Sequence, residues 1–538
     1  MRTGKVRPGY TYCATHMIFD IKMDGSFTRK ARLVADGHKT APPTSITYSS
    51  VVSRDSVRIA LTIASLNSLE VSACDIGNAY LNAPCREKLW TVAGSEFGSE
   101  QGSIMVIARA LYGLKSSGAA WRATLAQTME QLGYKPTQAD PDVWIKRTAK
   151  GDGTPYYKMM LIYVDDVLHL AEDPSEDMAK LSEIYRLKDG TGQPDRYLGG
   201  NIERVQTEDG SLAWSLSCHD YLTNAITQVK TELKEKNLSL KEFGTGLRPY
   251  PASYRPELDT TSTLDAEGMN RFQQLIGVLR WSIELGRIDI LTEVSCLSQH
   301  LAEPRDGHLI AVYKIFKYLD ACLKKDKGRI VFDGKYKSVT NVTFNDTHID
   351  EWKDFYCDAE EQLPINGPDP LGNPVILSAY VDANHAGNMK TRRSHTGILV
   401  YMNNAPILWY SKRQNTVESS SFGSEYIALR ICTEMVEATR YKLRCFGVPI
   451  DGPCEVYCDN RSVVTNSSVP TSVLNKRHNA ICYHRVREAQ AAGTIRVGWI
   501  EGKNNVADLF TKTTLSNEMK RTFIQYIFND RVTPLATA

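Results

Sequence analysis

The sequence lacks any run of about 18 apolar residues, the length a helix needs to cross a bilayer. Its start, Met1 to Asp20, lacks the apolar stretch of a secretory signal. Cysteine is sparse: 12 residues are scattered over 538, with no dense framework. That excludes a disulfide scaffold and fits reduced thiols inside a cell. No fixed-period repeat is visible. An excess of one charge is missing too, since 64 Lys+Arg stand against 62 Asp+Glu, a net charge of +2. A wholly cationic mode of nucleic-acid binding is excluded, but a local basic track is not. With 42% hydrophobic residues the chain is not dominated by disorder. At ~100–200 residues per domain, three or four domains are expected.

The first forty residues are locally basic, with Arg2, Lys5, Arg7, Lys22, Arg29, Lys30, Arg32 and Lys39 against three acids. Helical spacing of apolar residues predicts a helix over Val51–Leu69. The alternation Val71, Ala73, Asp75 predicts a strand that delivers an acid at its end. Ala119–Leu132 reads as a second helix, stopped by Gly133 and Pro136. KMMLIYVDDVLHLA, two apolar runs around Asp-Asp, predicts a β-hairpin. Residues 272–319 are mostly helical and end in a basic cluster of Lys324, Lys325, Lys327 and Arg329. Residues 333–373 hold nine acids, several Gly and Pro and no period, and read as a linker or irregular insertion. From Val375 strand-like and helical stretches alternate to about residue 513.

Three carboxylates stand out in the first half: Asp75 at a strand end, and Asp165 with Asp166 at a hairpin tip. Adjacent acids repel unless a cation sits between them. A third acid from a neighbouring strand would complete an all-oxygen site suited to Mg²⁺. Two such ions form the clamp for in-line phosphoryl transfer. On its own, Asp-Asp also reads as a polar turn.

The surrounding text narrows this. Tyr163-Val164-Asp165-Asp166 matches the YxDD box of reverse transcriptases, and Asp75-Ile76-Gly77-Asn78-Ala79-Tyr80 resembles their first catalytic motif. Leu111-Tyr112-Gly113-Leu114-Lys115, running to Trp121, and Lys30-Ala31-Arg32-Leu33-Val34-Ala35-Asp36-Gly37 are similar to segments of copia-type retrotransposon polymerases. Tyr197-Leu198-Gly199-Gly200 resembles, more weakly, a motif near the family's primer grip. The resemblance implies that Asp75, Asp165 and Asp166 are the catalytic metal ligands and that Tyr80 walls off a 2′-hydroxyl. Lys30, Arg32 and Lys115 would bind the incoming triphosphate. Two departures occur. Asn78 stands where related enzymes often carry an acid, and Ser116-Ser117-Gly118-Ala119 removes a cation that could contact template.

The last domain offers four separated acids. Asp382 is strand-like, Glu425 lies at a helix start, Asp459 ends a strand and Asp508 opens a helix. Their contexts, in order, resemble the RNase H region of the same elements: AYVDANHAG, Arg392-Arg393-Ser394-His395-Thr396-Gly397, Leu408-Trp409-Tyr410-Ser411-Lys412-Arg413-Gln414, SSSFGSEY, Cys458-Asp459-Asn460 and Ala507-Asp508-Leu509-Phe510-Thr511-Lys512. His478 stands where these elements carry a histidine, with a structural role equally open. Cys454, Cys458, His478 and His484 form a C-x3-C-x19-H-x5-H pattern, loosely zinc-finger-like. Its gap is longer than the usual one, which disfavours zinc.

The resemblance implies an α/β (α+β) multidomain chain with a right-hand polymerase followed by a helical connection and an RNase H-like domain. The expected divisions are fingers and palm at 1–205, a thumb-like region at 206–265 and the connection at 266–332. An acidic linker at 333–374, the RNase H-like domain at 375–515 and a tail at 516–538 follow. The implied activity is RNA-directed DNA synthesis with hydrolysis of the RNA of hybrids, using two Mg²⁺ (or Mn²⁺) ions per site. RNA template, DNA primer, RNA–DNA hybrid and deoxynucleoside triphosphates are the implied partners, and no membrane. The expected location is intracellular, in cytoplasmic virus-like particles or the nucleus. The start close to the fingers, with no protease or integrase ahead, fits a processed product, a truncated gene model or a decaying copy. A catalytically silent nucleic-acid-binding relic and an RNase H without polymerase activity are the rival expectations.

Overall fold

The computed structural model describes residues 6, 8–21, 29–324, 328–347, 349–528 and 532–534. Arg2, Lys5, Arg7 and Lys22 of the basic start, Lys325 and Lys327 of the basic cluster, and parts of the 516–538 tail lie outside the described residues. Among the described residues, no helix is long and apolar enough to cross a membrane. The chain forms two compact units. One comprises Met1–Ser53, Glu70–Thr148 and Lys158–Gln193; the other comprises Arg54–Leu69, Ala149–Tyr157 and Pro194–Ala538.

The first unit is organised on a six-stranded sheet. Its strand order is Leu187–Gly192, Glu70–Ile76, Asp166–Ala171, Pro155–Tyr163, Val143–Ala149, Lys135–Pro136. The expected Asp75 strand and Asp-Asp hairpin are both present. Ser72, Cys74 and Ile76 are buried on one face of their strand, while Ala73 and Asp75 on the other are half-buried. Period-2 geometry thus turns the acid away from the core. The buried face is covered by helices Ser117–Gln131 and Ser175–Ile184, through Trp121, Leu125, Met129, Met178 and Leu181 against Cys74, Ile76, Met160 and Val167. A hairpin of Thr15–Ile21 and Arg29–Ala35 carries Lys30 and Arg32.

In the second unit, strands Arg196–Tyr197, Gly200–Gln206, Leu212–Ser217 and Ile330–Phe332 form one sheet. The helical region expected over 272–319 resolves into Ala266–Glu284, Leu291–Leu297 and Asp306–Leu323. The other sheet has the order Val342–Phe344, Ile495–Ile500, Cys454–Cys458, Leu377–Asn384, His395–Met402, Ala405–Arg413. Leu377–Asn384 runs parallel to Cys454–Cys458, which runs parallel to Ile495–Ile500; the remaining pairs are antiparallel. Numbered along the chain from Leu377, the five main strands lie 3-2-1-4-5. This is the RNase H-like arrangement expected for the region.

Two divisions differ from expectation. The helix expected over Val51–Leu69 is Arg54–Leu66, and it belongs to the second unit rather than to a continuous 1–205 body. Its buried Arg58 explains why: the guanidinium donates to the carbonyls of Ile407 (3.1 Å) and Glu284 (2.8 Å) and stacks 3.7 Å from the Trp409 ring centre. The acidic 333–374 stretch is not a free linker. Val342–Phe344 pairs antiparallel with Ile495–Ile500 as an edge strand. Trp352 is buried beneath the Arg487 guanidinium, 4.8 Å away, and Glu361 pairs with Arg440. A few strong anchors hold a segment that has no hydrophobic period.

Candidate catalytic sites

Strand pairing brings the first three acids together. Asp166 lies directly opposite Asp75 in an antiparallel register, and Ile76 donates its N–H to the Asp165 carbonyl at 2.8 Å. The connecting turn places Val164 at φ +60°, in the left-handed region that β-branched residues avoid. Trp121, buried in the helix beneath, donates its indole N–H to the Val164 carbonyl at 2.7 Å. Burial raises the Asp165 carboxyl, with Asp75 adding to the shift. Burial pushes Asp166 up to about 6, with Asp165 and Asp75 adding and Lys188 opposing. The Lys188 ammonium reaches Asp75 at 2.6 Å. A cation therefore already sits on this acidic cluster. Nothing local flagged Lys188, which lies 113 residues from Asp75 and meets it only through strand pairing.

The residues expected to meet the nucleotide lie in the same unit. Tyr80 packs against Tyr112 with ring centres 4.8 Å apart and planes tilted by 55°, and burial followed by Tyr112 and Asp165 raises its hydroxyl. Arg32 lies 5.7 Å from the centre of the Tyr112 ring. Lys30 is near enough to Asp165 to lower its carboxyl against the burial that raises it. Lys115 donates to the Thr40 carbonyl at 2.7 Å, so that ammonium anchors a loop. Asn78 adopts φ +52°, a conformation asparagine tolerates. In the departure at Ser116-Ser117-Gly118-Ala119 the first two residues are internal, while Gly118 and Ala119 are half-buried. Ser116 and Ser117 are buried and donate to Glu87 (2.5 Å) and the Leu111 carbonyl (2.6 Å). Template contact is therefore not what these two positions offer.

The second acidic group is tighter. Asp382, Asp459 and Asp508 each offer an oxygen within 4.8 Å of the others, and Glu425 meets Asp459 and Cys458 in a second such group. Both groups are in the second unit; among the described residues, Asp75, Asp165 and Asp166 do not gather as closely. Parallel pairing of Val381 with Cys458 sets Asp459 beside Asp382. Ser420 caps the helix Ser421–Cys445, accepting the Gly423 N–H, and so fixes where Glu425 enters. Gly397 lies opposite Asp382, where a Cβ would meet the Ala507 carbonyl at 2.8 Å. Its bare backbone lets the Asp508 segment close onto the sheet.

Electrostatics mark this cluster as a cation site. Burial holds the Glu425 carboxyl well above its ordinary value, with Asp382 and Asp459 adding. Burial and then Asp382 push Asp508 up to about 7. Asp459 is raised by burial first and then by Asp382. Glu425 Oε2 is buried without a hydrogen-bond partner among the described residues. Thr511 donates to Asp382, and the Lys512 ammonium bridges Asp508 and Asp382, the latter at 3.5 Å. An orphaned carboxylate oxygen among clustered hard oxygens fits Mg²⁺. Burial raises the neighbouring Cys458 thiol far above its ordinary value, so it stays protonated beneath the acids. Lys512 could have been suspected from the sequence, since it stands four residues after Asp508.

The zinc-like pattern does not assemble. Cys454 and Cys458 are buried on a strand, His478 pairs with Glu418 at 3.4 Å, and His484 meets the Tyr356 hydroxyl at 2.8 Å. His478 is exposed and is not among the clustered acids.

Residues 9–239 match the family described as "Reverse transcriptase (RNA-dependent DNA polymerase)". The chain is 26% identical over 519 residues to the retrovirus-related Pol polyprotein from transposon RE1 of Arabidopsis thaliana, covering 95% of this chain and 31% of that one. It is 27% identical over 516 residues to the Pol polyprotein from transposon TNT 1-94 of Nicotiana tabacum, covering 94% and 34%. It thus spans about a third of these relatives' length. A foamy viral protease-reverse transcriptase, solved with an RNA/DNA hybrid, is a weak structural likeness. Its TM-score is 0.40 at 12% identity over 91% of this chain and 50% of that one.

Proposed function

Since this chain contains a reverse transcriptase region of the retrotransposon Pol type, we propose that it copies RNA into DNA and hydrolyses the RNA of the resulting hybrid. The observation that carries this is the presence of two separate carboxylate groups, one in each compact unit. Asp75 stands opposite Asp166 in one, and Asp382, Asp459 and Asp508 converge within 4.8 Å in the other.

In the polymerase site Asp75 and Asp165 would hold the divalent ions, with Asp166 adjoining. Ions held there would supply Lewis-acid activation of an attacking hydroxyl and charge neutralisation at the leaving pyrophosphate. Tyr80, packed against Tyr112, would form the wall that excludes a 2′-hydroxyl. Lys30 or Arg32 would serve as a charge-assisted donor for the triphosphate. Lys188 holds the charge of Asp75 in the ion-free state and must yield when nucleotide enters.

In the nuclease site Asp382, Glu425, Asp459 and Asp508 would hold the ions, and Lys512 balances their charge in the resting protein. Thr511 fixes one Asp382 oxygen, and the Lys512 ammonium lies 3.5 Å from the other. The deciding experiment is primer extension on a homopolymer RNA template, with degradation of a labelled RNA–DNA hybrid in parallel, using the full chain and Mg²⁺. Incorporation and hybrid cleavage are expected. Binding of primer–template with no incorporation in Mg²⁺ or Mn²⁺ overturns the polymerase half.

A further inference from the structure

A helix from the region expected to be the connection grips the segment that carries Asp508. That acid sits in a short 3-10 segment, Val506–Phe510. Asn505 pins its start: the amide donates to the Val381 carbonyl at 3.0 Å, beside Asp382, and the side-chain oxygen accepts the Ala507 N–H at 3.2 Å. The end is held differently. The last carbonyls of a helix have no partner within it and take their direction from whatever donates to them. Here the Leu509 and Phe510 carbonyls are met by side chains from far along the chain. Thr292, buried in helix Leu291–Leu297, donates its hydroxyl to Leu509 at 2.6 Å across 217 residues. Ser411, on strand Ala405–Arg413, donates to Phe510 at 2.8 Å. His395 Nε2 lies 2.8 Å from the same serine oxygen, and since the hydroxyl proton goes to Phe510, the imidazole is the donor there. The helix reaches this strand too, because Ser295 donates to the Ser411 carbonyl at 2.8 Å. Between them Glu293 pairs with Lys520, beyond the Asp508 segment.

Strand register gives these ties their consequence. Ser411 lies opposite Gly397, and Gly397 opposite Asp382, so the three share one row across neighbouring strands. The Asp508 segment lies over that row, close enough that a Cβ on Gly397 would meet the Phe510 Cβ at 2.9 Å. A shift of the Leu509 and Phe510 carbonyls therefore moves Asp508 against Asp382. Acids that converge within 4.8 Å leave little room for such drift. Groups that orient metal ligands affect ion affinity nearly as strongly as the ligands themselves. Leu509 and Phe510 are buried, so without these donors their carbonyls lose partners that water does not replace.

We propose that Thr292, together with Ser411, is a positioning residue of the nuclease site: the two hydroxyls set the height of the Asp508 segment over Asp382, and with it the affinity of the acids for divalent ions. The proposal rests on the nuclease reading for what the bound ions do, and its test includes ion binding without substrate. Two Mg²⁺ midpoints are measured on the full chain. One is the concentration for half-maximal cleavage of labelled RNA–DNA hybrid. The other is the concentration for half of the rise in melting temperature without nucleic acid, read in an Asp165→Asn background so that the other acid group contributes least. T292V, which keeps the shape and removes the donor, is expected to raise both midpoints about tenfold. Primer extension, and hybrid affinity without divalent ions, should not change. T292S, which keeps the hydroxyl, is expected to recover most of the loss. S411A, at a half-buried position, should move both midpoints in the same direction and serves should T292V fail to fold. A lower ion-free melting temperature with unmoved Mg²⁺ midpoints would make both hydroxyls merely structural and overturn the proposal. So would a T292S midpoint as high as that of T292V. Midpoints of melting that shift in T292V and return in T292S, in a chain that never cleaves hybrid, would instead sink the nuclease reading and leave the positioning role standing.

Discussion

Trp121 holds Val164 in place: the buried indole donates to the carbonyl of a valine at φ +60°, one residue before Asp165. The left-handed conformation costs a β-branched residue about 1–2 kcal/mol. The surrounding packing and this hydrogen bond must hold it there. Trp121→Phe keeps most of the volume and removes the donor. It should cost about 1–2 kcal/mol of stability and slow primer extension about tenfold, with hybrid cleavage unchanged. Adding Val164→Gly, which removes the conformational cost, should restore part of the extension rate. Equal rates for the parent and Trp121→Phe would show that the turn needs no such tether.

The two acid clusters should separate genetically. Asp165→Asn removes a ligand charge at the hairpin turn and is expected to abolish extension while sparing hybrid cleavage. Asp382→Asn, in the other compact unit, is expected to do the converse. Extension that survives Asp165→Asn would sink the polymerase assignment.

Asp508 makes the ion-free protein sensitive to pH. Unfolded, its carboxyl releases a proton near its ordinary 3.8; folded, burial and Asp382 hold that proton to about 7. Between those values the folded state carries the extra proton. The stability this group contributes is therefore full at about pH 4 and is lost as pH rises through 7. Glu425, raised well above its ordinary value, acts in the same direction. Melting temperature without divalent ions should fall from pH 5 to 8, and Mg²⁺ should remove most of the fall by replacing the proton. Asp508→Asn should flatten the ion-free profile; a profile identical to the parent's would contradict the shift.

Much of this was legible in the sequence where the signal is local. The apolar runs flanking Asp165-Asp166 and the alternation before Asp75 gave both strands, and the seven candidate acids fall into the two groups that motif order implied. What could not be read depends on contacts distant along the chain. Lys188 reaches Asp75 only through strand pairing. Arg58 looks like one more polar residue of an amphipathic helix until Ile407 and Glu284 accept from it. The cysteine–histidine pattern, already disfavoured by its long gap, fails because Cys454 and Cys458 belong to a sheet interior.

The acidic 333–374 stretch is the plainest case, and it makes a prediction of its own. Composition marks it as a linker, yet Glu361 forks onto Arg440 at 2.9 and 3.0 Å and also reaches Arg444 at 3.1 Å. Arg440 is almost completely buried and also donates to the Gly452 carbonyl. Glu361→Ala would strand a buried guanidinium without its carboxylate, a loss of about 3 kcal/mol when one partner of a buried pair is removed. Glu361→Gln keeps one acceptor and should cost less. Denaturant unfolding of the full chain measures both, and proteolysis should cut residues 345–370 sooner in the alanine variant. A change under about 0.5 kcal/mol, the range of ordinary surface substitutions, would return the segment to the role its composition suggested.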